Sequence, residues 1–175
     1  LENAVMRYQV SGTAPGPLGA RHPSITPFEA YKTKDGYIII SAGNDGLFAK
    51  LAEALENPGW AEDPDYSSND NRNKHVEKLK IEMESVLTAH TTSHWIEVLD
   101  KFGVPSGPIN DIGQAATHPQ TIARNMIVSV DDPITGPMKV AGNPIKISGF
   151  DDPKTRDPAP NLDQNREEIL RELSD

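Results

Sequence analysis

Apolar positions along the chain change period several times, and each change marks an element. Leu1, Val5 and Tyr8 recur at helical spacing, so the chain is expected to open in a helix. No Ser, Thr, Asp or Asn precedes it as a cap, which gives the expectation of a fragment cut within or just before a longer helix. Ser11 to Pro27 (SGTAPGPLGARHPSITP) has no period and is rich in Gly and Pro, as expected of an irregular surface connection of the kind that often carries function. PFEAYKT and GYIIIS then read as two strands around Lys34-Asp35-Gly36, where Asp-Gly predicts a type I′ hairpin turn. Tyr37-Ile38-Ile39-Ile40 is apolar on both faces and belongs at the centre of a small sheet.

Helical periods come next. Asn44 or Asp45 can cap a helix whose face is Leu47, Phe48, Leu51, Ala52 and Leu55, ended by Asn57-Pro58-Gly59. Trp60 to Asn69 reads as loop. A long helix is expected from Asp70 to Ala89, with Val76, Leu79, Met83, Val86 and Leu87 inward. A shorter one over Ser93 to Phe102 turns Trp95, Val98, Leu99 and Phe102 inward and closes at Gly103 and Pro105. Short helices are expected at Ile112 to Thr117 and Gln120 to Asn125, then strands Met126 to Val130 and Met138 to Ala141. A last helix over Gln164 to Leu173 has Asp163 as its expected cap. The fold class is therefore α+β: small antiparallel hairpins packed with several helices.

Composition narrows the function. With 175 residues and a mean hydropathy of −0.53, the chain is a polar module long enough to bury a core. A net charge of −9, spread rather than blocked, argues against a nucleic-acid groove. No apolar run reaches the ~20 residues that span a bilayer, so no membrane partner is expected. The lack of Cys excludes disulfide and thiolate chemistry and fits a reducing cytoplasm. Fifteen prolines in 175 residues exceed the roughly 5% average and imply stiff connections between elements.

Most candidate motifs reduce to local structure. His90 and His94 share a zincin spacing, but Thr91-Thr92-Ser93 between them is capping chemistry and no Glu adjoins, so no metal is assigned. Asp63, Asp65 and Ser67 begin like a calcium loop, yet Ser68 stands where Gly is needed and Lys74 where the bidentate Glu is needed. Ser106 lacks the spacing of a nucleophile elbow. Asp131-Asp132 and Asp151-Asp152 precede Pro and read as turns. Arg21-His22, in a loop with Gly16 and Gly19, is the group with chemical potential. A guanidinium and an imidazole there can meet phosphate or carboxylate oxygens, and the glycines let backbone N–H groups approach a ligand.

The stretch GARHPSITPFEAYKTKDGYIIISAGND (Gly19 to Asp45) resembles the family III CoA-transferases, the formyl-CoA transferase or CaiB/BaiF family. DPDYSSNDNRNKH, VPSGPINDIGQAATHPQTIARNM, GNPIKISGF and PAPNLDQNREEIL extend the likeness in order over nearly the whole chain. The resemblance implies a fragment of a two-domain enzyme whose Rossmann-like large domain, with most of the CoA site and the catalytic Asp, is absent here. It implies transfer of CoA between an acyl-CoA and a small carboxylate acceptor through an aspartyl-CoA intermediate. No catalytic residue is then assigned to this chain, and CoA is a substrate rather than a bound cofactor. Residues 1–20 would be a helix and linker from the large domain, 21–125 the small α+β domain, and 126–175 linker strands and a helix returning to it. Gly16, Gly19, Arg21 and His22 would lie in a loop next to the active site. An interlocked homodimer is implied for the intact enzyme. Two departures stand out: the loop glycines do not form an unbroken run, and Asp163 replaces the Gly of the family's P-x-L-G. An α-methylacyl-CoA racemase fragment and a self-contained, non-enzymatic binding module for an anion or a protein are the alternative readings.

Overall fold

The computed structural model describes residues 2–174, so Leu1, the first apolar position of the opening helix, lies outside the described residues. The chain divides into two units, Leu1–Ile109 and Asn110–Asp175. In the first, helix α1 (Glu2–Ser11) precedes strands β1 (Phe28–Lys32) and β2 (Tyr37–Ser41). Helices α2 (Asp45–Ala54), α3 (Asn69–Lys74), α4 (Val76–Leu87) and α5 (Thr92–Phe102) come next, then strand β3 (Ser106–Pro108). The second unit holds α6 (Ile112–Thr117), α7 (Pro119–Ala123), β4 (Ile127–Asp132), β5 (Gly136–Ala141), β6 (Thr155–Arg156) and α8 (Arg166–Glu172). The class is α+β, and no described helix is long and apolar enough to cross a membrane.

In the first unit β2 runs between β1 and β3, antiparallel to both, where its apolar run predicted it. Pairing of Tyr31 with Ile38 and of Glu29 with Ile40 puts these four on one sheet face. Tyr31, Ile38 and Ile40 pack there with Phe48, Leu51 and Leu55 near α2, Leu79, Met83 and Leu87 of α4, and Trp95 and Leu99 of α5. Each such side chain contributes ~1.5–3 kcal/mol by leaving water, so this face outweighs any one cap or turn. The other face, with Phe28, Ala30, Ile39 and Ser41, is only half-buried.

Two expectations are corrected by side-chain hydrogen bonds. The hairpin has a four-residue connection, closed by Thr33 N–H to Gly36 O at 2.9 Å, and neither Asp35 nor Gly36 enters the left-handed region. Asp35 instead accepts from the Thr92 N–H (2.8 Å) and hydroxyl (3.0 Å), tying the turn to the start of α5. The backbone N–H of Thr92, then its hydroxyl, hold the Asp35 carboxyl below the usual carboxylate range despite some desolvation. The expected helix over Asp70–Ala89 is broken at His75, with φ −110° and ψ 26°. The His75 Nδ1 lies 3.0 Å from Asn71 O and 3.2 Å from Asp65 O, a side-chain link to main chain that competes with a continuous helix.

In the second unit β4 pairs antiparallel with β5 and parallel with β6. Asp163 does not cap α8. It has φ +69°, Asn165 takes the cap position, and Asp163 pairs with Arg166 at 3.5 Å. Among the described residues of this unit the only buried hydrophobic side chain is Val128, while Ile134, Ile145, Ile147 and Phe150 are exposed. Gly142 is needed for its size: a Cβ there would sit 2.3 Å from Asn125 O, and its own N–H donates to Met126 O at 2.8 Å. Gly142→Ala must move backbone at the base of the β4–β5 hairpin. We expect about 1–3 kcal/mol of destabilisation, read as faster amide exchange across β4 and β5.

Candidate functional site

The aperiodic segment folds as a loop with one exposed end and one fixed end. Gly12 (φ +69°) and Gly19 (φ +64°) take the left-handed conformation that glycine adopts without strain. Gly16 is exposed, has no neighbour where a Cβ would lie, and is not brought to Arg21 or His22. From Arg21 the chain is secured: Arg21 N–H donates to Leu18 O (3.3 Å) and His22 N–H to Phe28 O (2.9 Å). The His22 ring lies flat on Phe28, centroids 5.3 Å apart and planes 4° from parallel. Its Nδ1 accepts the Ser24 N–H at 3.2 Å, so in the neutral ring the proton sits on Nε2.

Helix α3 clamps the segment from Ser24 to Thr26. Asn69 Nδ2 (2.9 Å) and Asn73 Nδ2 (2.8 Å) both donate to Ser24 O. Asn69 Oδ1 accepts from Thr26 N at 3.1 Å, and Asn73 Oδ1 from the Thr26 hydroxyl at 2.7 Å. Arg72, fully buried between them, donates from Nε to Thr26 O, from Nη1 to Tyr66 O and from Nη2 to Asp45, each at 2.7 Å. Its guanidinium also lies 4.5 Å over the Phe48 ring. Asn44 caps α2 by accepting the Leu47 N–H at 2.9 Å, so Gly43-Asn44-Asp45 is a capping and anchoring element.

Arg21 is the contrast. Half-buried, with its Nε shielded from solvent, it has no hydrogen-bond or ion-pair partner for its guanidinium among the described residues. Its charge reaches Tyr31, whose hydroxyl is pushed far up by burial and then by Glu29 and Glu84, with Arg21 pulling the other way. Several carboxylates, by comparison, are occupied. Lys78 bonds Asp65 at 2.8 Å and holds its pKa low. Thr135 and Ile134 N–H groups do the same for Asp132, as Lys146 does for Asp152, which also meets Arg156 at 3.0 Å. Asp111 caps α6.

His90 and His94 stack on each other at 4.2 Å beside Trp95, as a packed surface group. Among the described residues no three His, Asp or Glu side chains are placed to hold a metal. Of the four loop residues singled out in the sequence, Arg21 and His22 are therefore joined to the folded unit and Gly16 is not. Asn69, Arg72 and Asn73 were missed. The available signal was two Asn four apart, one helical face, in a stretch with no apolar position to explain it as a helix.

A family model described as CoA-transferase family III matches residues 1–166. The acetyl-CoA:oxalate CoA-transferase of Acetobacter aceti is 38% identical over 174 residues, 99% of this chain and 43% of that protein. The human succinyl-CoA:glutarate CoA-transferase is 32% identical over 89% of this chain and 35% of its own. A CAIB/BAIF family protein from Brucella suis superposes with a TM-score of 0.75 at 32% identity, over 98% of this chain and 44% of that one. The chain spans less than half the length of each of these relatives.

Proposed function

Because this chain belongs to CoA-transferase family III, we propose that it serves an enzyme moving CoA between an acyl-CoA thioester and a small carboxylic acid. The match over residues 1–166 carries this reading. The names of the Acetobacter and human relatives support a dicarboxylic acid as acceptor. A carboxylate nucleophile suits such chemistry: its attack on the thioester expels the CoA thiolate and gives a mixed anhydride. The thiolate attacks the aspartyl carbonyl and releases the donor acid to leave an aspartyl-CoA thioester. The acceptor carboxylate repeats the two steps in reverse, leaving with the CoA and freeing the Asp. The thioester at the start, on the enzyme and at the end is of similar energy. The attacking Asp is assigned upstream of these residues. In support, no Asp of this chain matches the motif of the family's nucleophile. Asp35, Asp45, Asp65, Asp111, Asp132 and Asp152 are engaged in a turn, cap or ion pair of the chain itself, although Asp70, Asp100, Asp131, Asp151 and Asp157 have no such side-chain partner among the described residues.

In this reading residues 21–125 form the small domain, while 1–20 and 126–175 run to and from a large one. The exposed Ile134, Ile145, Ile147 and Phe150 support such packing within an interlocked homodimer. The loop with Gly16, Gly19, Arg21 and His22 then lies next to the active site. A cytoplasmic location accords with the lack of Cys.

The 175-residue chain alone, given acetyl-CoA and a panel of carboxylic acids, is expected to show no CoA exchange, whereas the full-length protein exchanges. Turnover by the chain alone overturns the upstream nucleophile. Solvent deuterium entering the α-carbon of an acyl-CoA, with the full-length protein and no acid acceptor, would establish racemisation instead.

A further inference from the structure

Among the described residues the Arg21 guanidinium has no hydrogen-bond or ion-pair partner. A buried N–H without an acceptor is costly, and Arg21 carries one at Nε, while its Nη atoms, unbonded among the described residues and not buried, are the end that an oxyanion can reach. The surroundings hold the backbone that carries it. Arg21 lies just after the left-handed Gly19, its chain is sewn to Phe28 one residue later, and Asn69, Arg72 and Asn73 secure Ser24 and Thr26 beyond. A cation on so firm a base is organised before its ligand arrives. His22, with Nδ1 used by Ser24 and its ring held on Phe28, has Nε2–H as a second donor in the neutral ring.

Charge decides the ligand. From Ser11 through Tyr31 Arg21 is the only Lys or Arg, in a chain of net charge −9. The phosphates of CoA carry several negative charges and call for several cations. One planar fork matches one carboxylate.

We infer that Arg21 determines specificity for a dicarboxylic substrate, its guanidinium gripping the carboxylate that does not react while the other exchanges CoA. This rests on the CoA-transferase reading. The full-length protein and its Arg21→Gln and Arg21→Lys variants test it, with acetyl-CoA as donor and succinate against propionate, and glutarate against butyrate, as acceptors. Arg21→Gln is expected to lower the dicarboxylate-to-monocarboxylate preference in kcat/KM by roughly 30-fold, mostly through KM, with Arg21→Lys in between. Equal losses for both acids, no change, or a rise confined to the KM for acetyl-CoA overturns the assignment, the last marking a phosphate contact. Calorimetric titration of succinate and glutarate into wild type and Arg21→Gln needs no turnover. Binding lost in the variant supports the inference even if no acid accepts CoA, a result that would sink only the transferase reading. Binding kept by the variant, or absent from wild type for both acids, sinks the inference itself.

Discussion

Arg72→Met is expected to remove about 3–5 kcal/mol of stability, a large share of the roughly 5–15 kcal/mol that holds a domain together. The loss does not come chiefly from the ion pair. Asp45 is 64% exposed on its side chain, so water takes over its solvation once the guanidinium is gone. The carbonyls of Thr26 and Tyr66 are different, since their bonds to Arg72 are buried and each lost partner costs ~1–3 kcal/mol. The empty place over Phe48 adds to this. Arg72→Lys keeps the charge but cannot serve three acceptors set in a fork, and is expected to recover under half of the loss. Asp45→Asn should cost under about 1 kcal/mol. Denaturant midpoints for the three variants decide the matter: an Asp45→Asn loss equal to that of Arg72→Met would make the ion pair, not the carbonyls, the source.

Arg72 also marks the limit of what could be read from the sequence. Apolar periodicity is a signal about faces that leave water, and the inner faces it predicted for α2, α4 and α5 are those found: Phe48, Leu51 and Leu55; Leu79, Met83 and Leu87; Trp95 and Leu99. The central place of β2 was readable for the same reason. Arg72 was not, because a guanidinium counts as polar in any pattern, and only tertiary acceptors from residues 26, 45 and 66 make its burial tolerable. The turn at Asp35-Gly36 misled for a related reason. Its residues fit a type I′ turn, but Asp35 finds better partners at Thr92, 57 positions on. Asp163 shows the opposite case: its φ of +69° is the conformation Gly adopts freely, which explains why the resembled family carries Gly there and why a cap was the wrong reading. At the loop, the residue types of Arg21 and His22 were legible as anion-binding chemistry. Their attachment was not, since Asn69 and Asn73 lie more than forty residues away in sequence.

The second large effect is expected at Lys80. Glu29 sits on the core-facing side of β1 with 6% of its side chain exposed, and Lys80 Nζ reaches it from α4 while also donating to Ala30 O at 3.3 Å. Lys80→Met leaves a carboxylate buried beside Tyr31 without its cation, at an expected cost of about 2–4 kcal/mol. The cost should be smaller than for a fully buried pair, because the Lys80 side chain is 31% exposed and water can partly follow it inward. Glu29→Gln removes the charge but keeps the shape, and is expected to lose only about 1–2 kcal/mol. The combination decides between two accounts of why the pair is there. If the charge of Glu29 is what makes Lys80 necessary, Glu29→Gln with Lys80→Met is more stable than Lys80→Met alone, so the interaction in the double-mutant cycle exceeds the roughly 1–2 kcal/mol that Glu29→Gln costs by itself. If the two losses simply add, Lys80 acts by packing its methylenes over the Tyr31 ring, 5.7 Å from its Nζ, and the pair contributes nothing of its own. Urea midpoints for the four proteins separate these outcomes, and the electrostatic account predicts the first.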